Sequence, residues 1–295
     1  TFDRVWLWTS QHLQLPSGIF AWKAGETSSA PDADTDIALA LGFASKVWGD
    51  DRYLQSSRQV LIGIWSDEVT YFQGRPYILA GNWAKSQTGV ITNPSYLAPY
   101  AYRIFASILP QSDWAGLIDT SYEILNRCSE SPLDKTASVY LPPEWCALTP
   151  EGEVALPQEE SLRHSNYSYN AFRVPFRISL DYFWYKEPRA MEFLNRSNYI
   201  RSVWYANHAF LVAYTHDGQP WENYESVSAY STNLGSFLVT DPTASVKIYE
   251  EKILSKFYQE PSRSYWEDPQ NYYTQNWSWF ATALYSQNLQ NLWAK

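Results

Sequence analysis

Between residues 37 and 48 the apolar side chains Ile37, Leu41, Ala44 and Trp48 recur at helical spacing, with three carboxylates, Asp32, Asp34 and Asp36, ahead of them. This pattern predicts a helix whose amino terminus is acidic. Residues 53–64 repeat the spacing after Gly49-Asp50-Asp51, so the two segments read as a helical hairpin. Ahead of it, Phe2, Val5, Trp6, Trp8 and Leu13 form a short helix that ends at Leu15-Pro16-Ser17-Gly18. Further helices are predicted over 96–109 and 114–125, joined by Pro110-Gln111-Ser112-Asp113. Residues 169–185 are apolar nearly all round and read as an inner helix that tolerates Pro175 only near its first turn, with 188–200 as its partner. An approach loop over 223–230 leads to helices over 231–240 and 242–255, and the last helix covers 271–289. Residues 68–91 mix Val, Thr, Tyr and Phe with Gly and Pro and read as loop or short strands. Residues 130–168 are rich in Pro and Glu and poor in periodicity, a long surface excursion with a small hairpin at Gly152. Periodicity alone thus predicts a mostly α protein.

Composition narrows what such a protein does. A chain of 295 residues, 45% apolar and without an internal divide, reads as one domain over residues 1–295. Its net charge of −9 excludes a phosphate-backbone ligand, for which Lys and Arg would have to cluster. Fifteen Trp and 23 Tyr exceed what a core needs, and flat aromatic faces with polar edges suit carbohydrate rings. For most of these rings, including Trp277 and Trp279, core packing is the first expectation. No apolar run approaches the ~20 residues that span a bilayer. The chain opens without Met and without a basic-then-apolar leader, so Thr1 reads as a processed or truncated beginning, and a periplasmic or secreted location is expected if a signal preceded it. Cys128 and Cys146 lack CxxC spacing but can pair with each other. The histidines show neither HxxxH nor HExxH, and no glycine-rich loop cradles phosphate, so neither metal nor cofactor is expected. Three Asn-x-Ser triplets, at Asn166, Asn195 and Asn276, fit the glycosylation sequon, a pattern short enough to arise by chance.

Four segments, taken in order, resemble glycoside hydrolase family 8. They are Ala21-Trp22, the acidic Ala30-Pro31-Asp32-Ala33-Asp34 run with Ile37-Ala38, Asn93-Pro94-Ser95-Tyr96-Leu97-Ala98-Pro99, and Tyr169-Asn170-Ala171-Phe172-Arg173-Val174-Pro175. Leu141-Pro142-Pro143-Glu144-Trp145 adds a likeness to the bacterial cellulases that accompany cellulose synthesis. The resemblance implies an (α/α)6 barrel, a toroid of helical hairpins, here without its first helix. It also implies an inverting endo-β-1,4-glucanase acting on a β-linked oligo- or polysaccharide, and it points to association with a cellulose synthesis system.

Inversion needs one carboxylic acid to protonate the leaving oxygen and a base to activate water across the ring. The family's acid lies on a Ser-Glu-Gly segment that has no counterpart in this sequence, so the resemblance implies that it lies upstream or is missing. The family's base is an Asp at the position of Asn170, and an amide holds water without taking its proton. A replacement base would come from Glu144, Glu151, Glu153, Glu159 or Glu160, each of which reads first as solvated loop charge. By the same resemblance Asp32 grips the sugar at the scissile bond, Trp22 is a stacking platform, and Tyr96, Tyr169 and Arg173 line the site. Asp34 and Asp36 are expected to cap or stabilise their helix. Two competing readings stay open. One is a catalytically decayed carbohydrate-binding or scaffold protein, and the other an enzyme for xylan, chitosan or a mixed-linkage glucan.

Overall fold

A computed structural model describes residues 1–86, 89–162 and 164–294. Among them are 11 α-helices and seven short strands, in two compact units.

The first unit comprises residues 1–124, 146–157 and 291–295. Helix α1 (Phe2–His12) forms as predicted but buries none of its side chains. Helix α2 (Pro31–Trp48) starts with Pro31 in its first turn, where a missing N–H costs nothing, and stops at Gly49, whose φ of 66° is a left-handed cap. Helix α3 (Asp51–Gly63) opens on Asp50, whose carboxylate accepts the Arg52 N–H at 2.9 Å. Helices α2 and α3 form the predicted hairpin, pinned where Ser57 Oγ donates to the Ala38 carbonyl at 2.8 Å. A π-turn, Ile64–Glu68, prolongs α3 beyond its expected end and carries Glu68 into the interior. Strands β1 (Val69–Phe72) and β2 (Arg75–Ile78) pair as a hairpin, and β3 (Val90–Thr92) follows. The helix expected from residue 96 starts later, as α4 (Pro99–Ile108), because Asn93 caps a separate 3-10 turn, Pro94–Tyr96, and Pro99 resets the chain. Helix α5 (Trp114–Glu130) outruns its prediction by five residues. Strands β4 (Cys146–Leu148) and β5 (Val154–Ala155) complete an antiparallel sheet in the order β3-β4-β5, turning at Gly152 as expected.

The second unit comprises residues 125–145 and 158–290. Its helices are α6 (Val174–Tyr185), α7 (Pro188–Arg196), α8 (Tyr199–Asn207), α9 (Val227–Thr240) and α10 (Pro242–Ile248), with α11 (Tyr272–Tyr285) after the hairpin of β6 (Phe257–Glu260) and β7 (Arg263–Trp266). Helix α9 is buried nearly end to end, and α6, α7, α10 and α11 pack around it. Gly235 lets α6 come close, since a Cβ there would lie 2.3 Å from Ser179 Oγ. The core joins Phe172, Trp204, Phe210, Tyr230 and Phe237. Pro175 sits in the first turn of α6, where it was expected to be tolerated. Three expectations change, and one element is new. Residues 188–200 break into α7 and α8 at Ser197-Asn198, α9 begins inside the presumed loop, residues 242–255 pass from α10 into a π-turn and a 3-10 turn, and the β6–β7 hairpin had no prediction. Trp279 is exposed rather than core, because the inner face of α11 is taken by the small residues Ser278 and Ala281. Among the described residues no helix is long and apolar enough to cross a membrane, and neither cysteine is a free thiol.

Candidate active site

In the first unit the Trp22 loop and the acidic helix are built as one piece. Phe20 and Ala21 are buried, Ala21 bridges to Ser29, and the Trp22 N–H donates to the Ser28 carbonyl at 2.9 Å. These two legs present the Trp22 indole, 62% exposed, with Lys23 Nζ 5.9 Å from its centre. Asp32 follows in the first turn of α2, half-buried, with Oδ1 accepting the Ala33 N–H at 2.9 Å. There the helix dipole favours negative charge. The 3-10 turn that carries Tyr96, half-buried, packs against α2.

Asp34 does not cap the helix, contrary to expectation. It is wholly buried, and its Oδ1 accepts the Phe20 N–H at 2.7 Å across fourteen residues of chain. Its neighbour is Glu68, equally buried, whose Oε1 accepts the Ser29 hydroxyl at 2.6 Å. One oxygen of each, Asp34 Oδ2 and Glu68 Oε2, is buried without a hydrogen-bond partner among the described residues. Burial pushes Asp34 up to about 7 against the pull of its hydrogen bonds, and raises Glu68 well above the usual carboxylate range with Asp34 adding to the rise. Glu68 was missed by sequence reasoning. Its one signal is its place four residues after Ile64 on the apolar stripe of Val60, Leu61 and Ile64, where a charge is out of pattern.

In the second unit the motif Tyr169–Pro175 surrounds a carboxylate that sequence reasoning left among five. Glu144, 7% exposed, accepts the Ser168 hydroxyl on Oε1, accepts the Asn170 N–H there at 3.3 Å, and has His164 Nε2 3.7 Å from Oε2. Its own N–H donates to the Asn166 carbonyl at 3.0 Å, which fixes its place. Solvated loop charge is therefore the wrong description of Glu144. It fits Glu151, Glu153 and Glu159, which are exposed, while the Glu160 side chain lies outside the described residues. Arg173 Nη2 donates to Asn170 Oδ1 at 2.7 Å, so one lone pair of the amide oxygen expected to hold water is already occupied. The two residues share a face, as predicted, on a 3-10 turn rather than an α-helix. Tyr169 is 43% exposed, its hydroxyl 2.7 Å from that of Tyr224 and its carbonyl accepting the Tyr273 hydroxyl. Burial and the Tyr224 hydroxyl push the Tyr169 phenol up to about 12. Burial likewise raises Tyr273, against the opposing charge of Arg173. Among the described residues no three His, Cys, Asp or Glu side chains gather as a metal site.

The first unit thus offers a carboxylate at a helix start and an exposed indole, and the second a buried carboxylate with a hydroxyl and a backbone N–H donating to it. The model of the glycosyl hydrolases family 8 matches residues 1–267, and the chain belongs to that family. It is 29% identical over 270 residues to Endoglucanase C of Ruminiclostridium cellulolyticum, an alignment covering 86% of this chain and 54% of that protein. It is also 29% identical over 213 residues to a beta-glucanase of Niallia circulans, covering 67% of this chain and 50% of the other. The chain thus spans about half the length of these relatives. Among solved structures, the apo beta-1,3-1,4-glucanase of Paenibacillus sp. X4 superposes with a TM-score of 0.82 at 23% identity, over 97% of this chain and 76% of that one. The fold class is therefore the (α/α)6 class of the family, as the resemblance implied.

Proposed function

We propose that this protein is an inverting endo-β-glucanase in which the general base has moved from position 170 to Glu144. Asp32 grips the sugar at the bond to be cleaved and favours its distorted ring. Trp22 stacks beneath a glucosyl ring, and Tyr96, Tyr169 and Arg173 contact the sugar. Glu144 takes a proton from the attacking water while Asn170, held by Arg173, orients it. A base shortens the path to the oxocarbenium-like transition state by charging the water as it attacks, an effect worth roughly 10²–10⁴ in rate. The observation that carries this reading is the burial of Glu144 with Ser168 and the Asn170 N–H both donating to it, beside the position where the family keeps its base. The names of the relatives, endoglucanase and beta-glucanase, support β-glucan as the substrate class. The finer assignment to a cellulose synthesis system rests on the segment from Leu141 to Trp145.

The proton donor of the family has no counterpart among these 295 residues, so the assay uses the protein made from its complete natural reading frame. Reducing-end formation from soluble β-1,4- and mixed-linkage glucans is expected, lost in Asp32→Ala and in Glu144→Gln. Turnover that survives Glu144→Gln unchanged overturns the role of Glu144. Binding of cello-oligosaccharide without any cleavage establishes the competing reading, a glycan-binding protein on this fold, which the amide at position 170 favours.

A further inference from the structure

The buried pair Asp34 and Glu68 is wired to both legs of the loop that presents Trp22. On the incoming leg the Phe20 N–H ends on Asp34, and on the outgoing leg the Ser29 hydroxyl ends on Glu68. The oxygens left over, Asp34 Oδ2 and Glu68 Oε2, are buried and have no hydrogen-bond partner among the described residues, so a proton held between the two carboxyls would relieve both. Asn82 extends the wiring. Its N–H donates to Ser29 Oγ at 3.0 Å, its Oδ1 accepts the Ser29 N–H at 3.1 Å, and its Nδ2 donates to the Thr27 carbonyl at 2.9 Å. Gly81 makes room for this, because a Cβ there would lie 2.4 Å from the Ser29 carbonyl oxygen. Asp34 also stands two residues after Asp32 on α2, so the same pair ties the indole platform to the helix turn that presents Asp32.

We propose that Asp34 and Glu68, joined by one shared proton, are positioning residues that hold the Trp22 loop in register with Asp32, and that removing this proton loosens the grip on sugar. The inference rests on the reading of Trp22 and Asp32 as sugar-binding groups. The physical reason is the count of donors: one amide and one hydroxyl reach four buried carboxyl oxygens, too few for two anions in a dry site. Once both groups ionise they repel, and relief comes from moving the loop legs and admitting water. Asp32 is the charged side chain that bears on both carboxyls, and it adds to the repulsion. Asp36 on α2 and, on the other packed elements, Lys23, Glu26 and Lys85 are exposed, and Asp67 accepts from Ser66.

The test measures cello-oligosaccharide affinity by calorimetry, and amide exchange over residues 20–29 corrected for intrinsic rates, from about pH 5 to about pH 9. Both are followed in the wild type, Glu68→Gln, Asp34→Asn and Glu68→Ala. Gln at 68 supplies the donor of a protonated Glu to Asp34 and keeps the acceptor for Ser29, so it is expected to bind sugar with the low-pH affinity of the wild type at every pH. Asp34→Asn preserves the Phe20 contact and is expected to do the same. Wild-type affinity is expected to fall about tenfold across the range while exchange at the Phe20 and Trp22 amides quickens. Identical pH profiles in the wild type and Glu68→Gln overturn the proposal. If Glu68→Ala fails to fold, the two amide variants still decide. If no sugar binds at any pH, the sugar-site reading fails by itself, and the exchange data separately support or overturn the positioning role.

Discussion

Two buried carboxyl sites, one in each unit, show that burial alone does not decide what an acid does. Glu144 and the Asp34–Glu68 pair are similarly secluded, at 7%, 0% and 0% exposure. Around Glu144, a hydroxyl, a backbone N–H and an imidazole converge on one carboxyl group. Around Asp34 and Glu68, one amide and one hydroxyl serve two groups, and one oxygen of each is left without a partner among the described residues, a deficit that the proposed shared proton would make up. The first arrangement suits a group that accepts a proton during a reaction. The second suits a fixed joint, whose geometry holds as long as the proton stays. The lesson is that the ratio of donors to carboxyl oxygens separates the two roles more sharply than depth does.

The sharpest break of this contrast is Glu144→Gln, expected to lower kcat on soluble β-glucan by about 10²–10⁴ with little change in KM, measured as initial rates on the protein from its complete reading frame. A drop in KM and kcat together with a lost thermal transition would instead make Glu144 structural. Next in size, Glu68→Ala leaves Asp34 buried without its partner and is expected to cost about 1–3 kcal/mol in urea unfolding. The sign of the pH effect follows from Asp34, whose folded value near 7 lies above the 3.8 of an ordinary Asp. The folded state therefore holds the extra proton, so the stabilisation is complete below about pH 4, declines as pH rises and is lost by about pH 7. Unfolding midpoints at several pH values check this, and Glu68→Gln is expected to flatten the slope. A smaller effect is expected for Trp22→Ala, a loss of about 0.5–1.5 kcal/mol in oligosaccharide affinity, up to about tenfold, with an unchanged unfolding curve. Smallest is Asn170→Asp, which keeps the partner of Arg173 and is expected to change kcat less than about tenfold if Glu144 is the base. A large rise in rate would return that role to position 170.

Much of the helical framework was legible because burial writes itself as period. Ile37, Leu41 and Ala44 mark the face of α2, and Gly49 marks its end. The inner helix after Tyr169 was legible from its all-round apolar character. The break at Ser197-Asn198 was not, since neither residue is Gly or Pro and packing decides where the chain turns. The β6–β7 hairpin escaped because Phe257, Trp266 and their neighbours pair across strands too short to show alternation. Of the site, Trp22, Asp32, Tyr96, Tyr169, Asn170 and Arg173 were named from motifs, and the structure assigns three of them to each unit. Glu144 was one of five candidate acids, set apart only by its place in the segment from Leu141 to Trp145, which carries no sign of burial. Asp34 was assigned to helix capping, a local role, whereas its partner Phe20 lies fourteen residues back and Glu68 thirty-four residues on.

The sequence by itself determined the helical class, the family and the motif residues, because periodicity and short motifs are local properties of the chain. Which carboxyl groups are solvated, which are served by donors and which are left short of them was decided only in the tertiary structure. A carboxyl group's character depends on the dipoles and hydroxyls around it, and at Glu68 and Asp34 these arrive from segments tens of residues apart.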